Sequence, residues 1–254
     1  MNNTQTKMNI DPSVSVINID VDSTNVEIEA IDSDDSINLI SSELIYSDNV
    51  RVEQRDNELH IKEQNDNFLK HNRRNCNTII QSGNGTIKIQ NNSNSIIING
   101  INIFSSNSLN NSQNNGVKLV LTRKNDYRIM IKNKSGEVKI KDLIATTLNV
   151  KTMSGDIEVD NLKTNKLIIE TMSGDIELDN IDAVTAKLKT ISGDVRTYLL
   201  ESILNYKIHL STVSGYAEQE SLETETAKIL ADKRELDVTT VSGDIKVLFK
   251  GRKN

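Results

Sequence analysis

The stretch Thr152-Met153-Ser154-Gly155-Asp156-Ile157-Glu158 decides the fold, because the chain returns to it several times. Two near-identical copies follow it along the chain, and another close copy lies near the C-terminus. The remaining copies keep the Ser-Gly pair but differ in the residues around it. The glycines of the six copies are Gly136, Gly155, Gly174, Gly193, Gly215 and Gly243. Three successive intervals are therefore 19 residues, and the next two are 22 and 28. A constant period near twenty residues is typical of stacked repeat proteins.

Apolar residues keep a fixed distance from each repeat glycine. Around Gly174 they are Leu167 and Ile169 before the glycine, and Ile176 and Ile181 after it. Apolar residues two apart on either side of a glycine turn predict two short strands, each with one face inward. Identical rungs then stack at about 4.8 Å, the spacing of strands in a sheet. We therefore predict an all-β stacked repeat, either β-solenoid-like or an open sandwich-like stack, with rungs of about 19 residues.

The chain of 254 residues is predicted to form a single β-repeat domain, residues 1–254. Residues 1–70 hold irregular N-terminal strands, 71–116 are an Asn-rich insertion, and 117–250 hold the regular Ser-Gly-Asp repeats. The apolar column seven residues after each repeat glycine ends in Lys250. The charged C-terminus is therefore expected to prevent a further strand from pairing with the end of the stack.

Composition and charge limit the possible functions. Aromatic residues make up 3% of the chain, there is no Trp, and one Cys excludes an internal disulfide framework. The net charge of −6 conceals a polarity, since residues 1–66 carry 15 acidic and 4 basic side chains and residues 67–146 carry 3 and 12. This asymmetry is compatible with an anionic partner, although packing of the two segments against each other explains it as well.

The repeated aspartates are the first candidate for chemistry. Stacked rungs would place Asp156, Asp175 and Asp194 roughly 5 Å apart, so their repulsion must be offset. Hydrogen bonds from turn N–H groups would do this, with Gly174 at a positive φ. A Ca²⁺ ion is the alternative. The turn interpretation is favoured, because the Gly-rich nonapeptide of Ca²⁺-binding β-rolls has several glycines per turn and this repeat has one.

Other reactive side chains lack a catalytic pattern. A column of threonines (Thr152, Thr171, Thr190, Thr212, Thr240) is predicted to face inward and bond to the turns. His60, His71 and His209 lie in separate segments, and Cys76 is near His71 without a strand–helix scaffold for a nucleophile. We therefore predict no catalytic, cofactor-binding or metal-binding residues, and no cofactor.

The recurrent Thr-x-Ser-Gly-Asp-Ile/Val phrase, preceded by strands such as Asn25-Val26-Glu27-Ile28, resembles the bacterial "putative adhesin" family. That family is related to the toast-rack domains of envelope-stress proteins. The resemblance covers most of the chain, and is strongest over 117–248. It implies a repetitive β fold of largely unknown function, without known catalytic residues and often linked to the cell envelope.

The sequence thus predicts a non-enzymatic binding or scaffold protein that uses long strand faces, including Lys151, Glu158, Lys189 and Arg196. Its unidentified partner is expected to be an envelope or membrane-associated protein, not nucleic acid. Two alternatives remain open: a self-assembling β-polymer and, less favoured, a β-helical polysaccharide-active enzyme. Without an apolar N-terminal signal or a transmembrane stretch, a cytoplasmic location is expected, with peripheral attachment to the envelope as the other possibility.

Overall fold

A computed structural model describes residues 5–31, 43–47, 50–63, 80–82, 85–87, 95–98, 101–104, 116–123, 127–221 and 233–249. These residues form strands almost throughout. The strands are β1 (Gln5–Asn9), β2 (Val16–Val21), β3 (Asn25–Ile31), β4 (Glu43–Ser47), β5 (Val50–Arg55), β6 (Glu58–Glu63), β7 (Ile80–Ser82), β8 (Gly85–Ile87), β9 (Ser95–Ile98), β10 (Ile101–Phe104), β11 (Gly116–Thr122), β12 (Tyr127–Asn133), β13 (Val138–Lys141), β14 (Ile144–Thr152), β15 (Ile157–Glu170), β16 (Ile176–Lys189), β17 (Val195–Leu199), β18 (Tyr206–Ser211), β19 (Ala217–Ser221), β20 (Arg234–Thr239) and β21 (Ile245–Phe249).

Most strands belong to two hydrogen-bonded ladders. Ladder A runs in space through β5, β6, β2, β12, β14, the C-terminal halves of β15 and β16, β20 and β18. Ladder B runs through β1, β4, β11, β3, β13, the N-terminal halves of β15 and β16, β17, β21 and β19. Pairs are parallel except at the N-terminal end, where β1, β4 and β5 run antiparallel to their neighbours.

Each regular rung crosses from ladder A to ladder B through the Ser-Gly-Asp phrase, which we call the first corner. The chain then passes to ladder A of the next rung through a second corner. There Asp142, Asn161 and Asn180 have φ of 55°, 54° and 56°. Short Asn and Asp side chains tolerate this left-handed conformation better than other residues. The stacked, solenoid-like β fold predicted from the repeat is therefore confirmed.

The chain order and the stacking order differ at the C-terminus. Bridges between corner serines run from Ser192 to Ser242 and from Ser242 to Ser214. The last rung of the sequence, β20 and β21, therefore lies between the rung of β17 and the rung of β18 and β19. This explains why the repeat intervals lengthen to 22 and 28. Residues 250–254 lie outside the described residues, but the expectation that the C-terminal end of the chain ends the stack is wrong, because β21 is paired on both sides.

The Asn-rich segment begins at the position of a first corner. The chain leaves ladder A at Glu63 and enters ladder B at Gly116, next to the corner of residues 22–24. The Glu63 carboxylate there accepts hydrogen bonds from the N–H groups of Asp22, Ser23 and Thr24 at 2.7, 2.9 and 3.2 Å. Within the segment, β7 pairs with β8 and β9 pairs with β10, both antiparallel.

One hydrophobic core joins both ladders, and inward residues such as Leu167, Ile169 and Ile176 are at most 1% exposed. Because each rung buries its apolar face only against its neighbours, stability accumulates along the stack. Among the described residues, no helix is long and apolar enough to cross a membrane.

Candidate binding surface

The first corners are linked by their aspartates. Oδ1 of Asp156 accepts the N–H of Asp175 at 2.9 Å, and Oδ1 of Asp175 accepts the N–H of Asp194 at 2.8 Å. Oδ1 of Asp194 and of Asp244 accept in turn the N–H groups of Asp244 and Tyr216, at 2.9 and 2.8 Å. Each carboxylate thus accepts a turn N–H group, as the turn interpretation predicts, but that group belongs to the adjacent rung and not to the aspartate's own turn. Ca²⁺ binding by this column stays a hypothesis.

Close approach between rungs dictates the glycine of each corner. A Cβ on Gly174 would lie closer than 3.0 Å to the carbonyl oxygen of Gly155, and one on Gly193 would collide in the same way with Gly174. Gly193 also has φ of +151°. Gly174 does not have a positive φ. The sequence therefore predicted the need for glycine correctly but gave the wrong reason at Gly174, where the neighbouring rung excludes a side chain.

The threonine column lies inside the first corner, as predicted. The Thr152 hydroxyl donates to the Thr171 hydroxyl at 2.8 Å, and the Thr212 hydroxyl donates to the carbonyl of Gly243 at 3.1 Å. Thr152 and Thr171 are buried. These hydroxyls bond to corner carbonyls and, among the described residues, contact no base, so the arrangement is that of a structural ladder.

A row of exposed apolar side chains, the corner ridge, follows the outside of the first corners. Sequence analysis did not identify it, although the alternation that turns Thr171 inward turns Met172 outward. Four ridge carbonyls each accept the N–H of the next corner serine, for example Ser173 N–H to Met153 O at 2.9 Å, which fixes the row. In spatial order the ridge comprises Met153 (51% exposed), Met172 (50%), Ile191 (43%), Val241 (44%) and Val213 (81%).

Beside the corner ridge, the outer face of ladder A carries a cluster of exposed cations. We call this cluster the lysine face; it comprises Arg128, Lys132, Lys151, Lys166, Lys187 and Lys189. Its paired carboxylate is Glu170, which lies 2.8 Å from Lys151 Nζ. The other five cations make no ion pair with the part of the chain that the structure describes. The hydrogen bond from Lys151, with the charges of Lys187 and Lys189, holds the pKa of Glu170 below its ordinary value.

The outer face of ladder B treats its charges differently. Lys139 Nζ lies 2.9 Å from Glu137 and 3.2 Å from Glu158, and Lys246 Nζ lies 2.9 Å from Glu218. A shallow depression of about 470 Å³ on this face is lined by both signs of charge. Of the four residues predicted to contact a partner, Lys151 and Lys189 therefore lie on one face and Glu158 and Arg196 on the other.

A largely buried ion pair connects the C-terminal rung, formed by β20 and β21, to β16. Arg234 Nη1 donates to Asp182 Oδ1 at 2.6 Å and to the carbonyl of Ala183 at 2.9 Å. The Tyr206 hydroxyl donates to the same carbonyl at 3.2 Å, and burial raises the pKa of Tyr206 to about 12. A cavity of about 620 Å³ borders the pair. Because Arg234 is the first residue of β20 and Asp182 lies in β16, the pair holds the C-terminal rung in its place.

The remaining candidates are dispersed. His60 in β6 lies 3.0 Å from Glu58, and His209 in β18 is at the opposite end of ladder A. His71 and Cys76 lie outside the described residues. Across the described ranges, no three His, Cys, Asp or Glu residues are grouped so that they could hold a metal ion.

Comparisons with known proteins found two similar solved structures and one family model. A crystal structure of a "putative cell adhesion protein" from Clostridium sporogenes is similar over 98% of this chain and 100% of its own, at 18% identity and a TM-score of 0.50. A "putative adhesin" from Bacteroides fragilis is similar over 98% of this chain and 97% of its own, at 14% identity and a TM-score of 0.43. No curated protein matches. A family model described as Toastrack DUF4097 matches residues 14–250. The resemblance noted in the sequence is therefore confirmed, and the chain belongs to the Toastrack DUF4097 family.

Proposed function

We propose that this protein is a non-enzymatic binding scaffold that acts at the bacterial cell envelope. One observation carries the proposal: along four or five consecutive rungs, the corner ridge exposes apolar side chains, and all the cations of the lysine face except Lys151 lack an ion pair among the described residues. Exposed apolar rows of this length usually mark interaction sites. The regular stack supports such a site by holding each side chain in register with the next.

The envelope location rests on the resemblance to envelope-linked domains and on a structural neighbour named for cell adhesion. The test is co-sedimentation of the purified chain with washed bacterial envelope fragments. We expect binding that falls at least tenfold in the double variant Lys166→Gln/Lys189→Gln. The matched control is Lys141→Gln/Lys246→Gln, which removes the same charge from the outer face of ladder B. Absence of binding, or equal loss in both variants, would refute the proposal.

The last described rung of the stack, formed by β18 and β19, argues against the polymer alternative. Tyr216 takes the place of the corner aspartate there, so this rung offers no carboxylate to the N–H of a further rung. Its strand β19 also carries exposed Glu218 and Glu220, and charge on an edge strand opposes pairing. Light scattering that shows mass growing with concentration would favour the polymer. Turnover of an anionic polysaccharide by the purified chain would favour the enzyme.

A further inference from the structure

The corner ridge is convex and aliphatic. Its five side chains lie at the outside of a turn, and adjacent ones are separated by about 4.8 Å, so the row is roughly 20 Å long. None is aromatic, and the exposed fractions reach 81% at Val213. A narrow convex row of Met, Ile and Val is suited to insertion into a deformable apolar layer.

Two cations border the ridge along one side, with Glu170 between them at the position two residues before Met172. Lys151 lies two residues before Met153 on the same strand face, and Lys189 stands in the same relation to Ile191. That separation is roughly 7 Å, which lets the long lysine side chains keep their ammonium groups level with an interface while the apolar residues go deeper. Met130, 42% exposed, adds an apolar side chain between Arg128 and Lys132.

The arrangement separates apolar and cationic groups as interfacial membrane helices do, but on a strand ladder. We propose that the corner ridge and the lysine face dock on a lipid bilayer with anionic headgroups, an inference that rests on the proposed envelope function. Mobile anionic headgroups can neutralise Lys132, Lys166, Lys187 and Lys189 without a matching set of fixed carboxylates. Juxtaposed cations are attracted to such a surface in an additive way, with strong dependence on salt.

The experiment measures binding of the full chain to vesicles of phosphatidylcholine with and without 30% phosphatidylglycerol. We expect binding to the anionic vesicles alone, and weakening by at least tenfold in Lys166→Gln/Lys189→Gln and in Met172→Ser/Ile191→Ser. Lys141→Gln/Lys246→Gln serves as the control for charge and should bind as the parent does. Circular dichroism checks that each variant is folded.

Insertion can be read directly, because the chain has no Trp. A Met172→Trp variant should shift its emission to the blue on anionic vesicles and be quenched by brominated lipid. A Lys141→Trp variant, on the outer face of ladder B, should do neither. Equal responses of the two probes would overturn the proposed orientation.

Other occupants give different results. Binding to envelope fragments without binding to anionic vesicles would overturn the lipid assignment and leave the proposed function standing. Binding to neither would remove both. A dimer in light scattering that Met172→Ser/Ile191→Ser dissociates, together with no vesicle binding, would assign the ridge to a second copy of the chain instead.

Discussion

The outer faces of ladders A and B are built from the same rungs but manage charge in opposite ways. On ladder B, Lys139 sits between Glu137 and Glu158, and Lys246 contacts Glu218. On ladder A, Lys132 lies between Asp20 and Lys151 in the register, and among the described residues Glu170 is the carboxylate that pairs with the lysine face. Like charges on directly opposed strand residues are unfavourable.

The same repeat therefore serves different purposes on its two outer faces. On ladder B, Lys139 and Lys246 are paired with carboxylates within the molecule, so these charges contribute to the stack. On ladder A, five cations of the lysine face form no ion pair with the described residues, although Asp20 and Asp237 lie opposite Lys132 and Lys187 in the register. A cost retained along several rungs is best explained by an interaction outside the molecule.

The largest effect is expected in the hydrophobic core on which both faces rest. Ile176 is 1% exposed in the core between the ladders, so Ile176→Asp places an unpaired charge there. We expect the repeat region to unfold, with loss of both faces. The control is Glu177→Gln, the next residue on the exposed side. Denaturant titrations followed by circular dichroism distinguish them; a cooperative, near-parental transition in Ile176→Asp would contradict the core assignment.

The next largest effect is expected at the first corner, which joins the two faces. Gly174→Val should lower the free energy of unfolding by about 2–3 kcal/mol, because its side chain meets the Gly155 carbonyl. The exposed neighbour change Ser173→Ala should cost less than about 0.5 kcal/mol. Gly174→Ala should resemble the valine variant, since its Cβ alone makes the collision. Equal thermal shifts in the glycine and serine variants would show that the rungs are less closely packed.

Sequence periodicity was sufficient to predict the stack and its inward columns. Leu167, Ile169 and Ile176 recur in register with the glycine, and burial of one face leaves them a single possible direction. The aspartate and threonine hydrogen bonds followed from the same register. These features depend on neighbours along the chain and on a repeat that each rung copies.

Other features depend on long-range order. The place of β20 between β16 and β18 could not be read from the repeat, because Ser242 resembles every other corner serine. Arg234, with a side chain 15% exposed, fixes this position by pairing with Asp182. The corner ridge could have been found from parity, since Met172 follows an inward threonine. Its spatial continuity through Val241 to Val213 still required the stacking order.

A matched pair of charge reversals tests the contrast between the faces. Lys139→Glu removes two ion pairs and adds an acid beside Glu27, Glu137 and Glu158, so we expect a loss of about 0.5–1 kcal/mol at low salt. Lys166→Glu has threonines on both neighbouring strands and lies among cations, so its effect should be within about 0.5 kcal/mol of zero. Urea titrations in low and high salt measure both. Similar losses would mean that the faces do not differ.

The smallest effect should come from Glu170, the carboxylate that pairs with Lys151 of the lysine face. Glu170 has a pKa below its ordinary value, so its ionised form stabilises the fold above about pH 4.5 and this contribution disappears as the pH falls through the lowered pKa. With a side chain 36% exposed, Glu170→Gln should cost only about 0.5 kcal/mol at pH 7, and the difference from the parent should vanish at low pH and shrink in high salt. The same variant raises the net charge of the lysine face, so its binding to anionic vesicles should tighten. A loss of stability that persists at low pH would assign Glu170 a packing role, and weaker vesicle binding would argue against the lysine face as the docking surface.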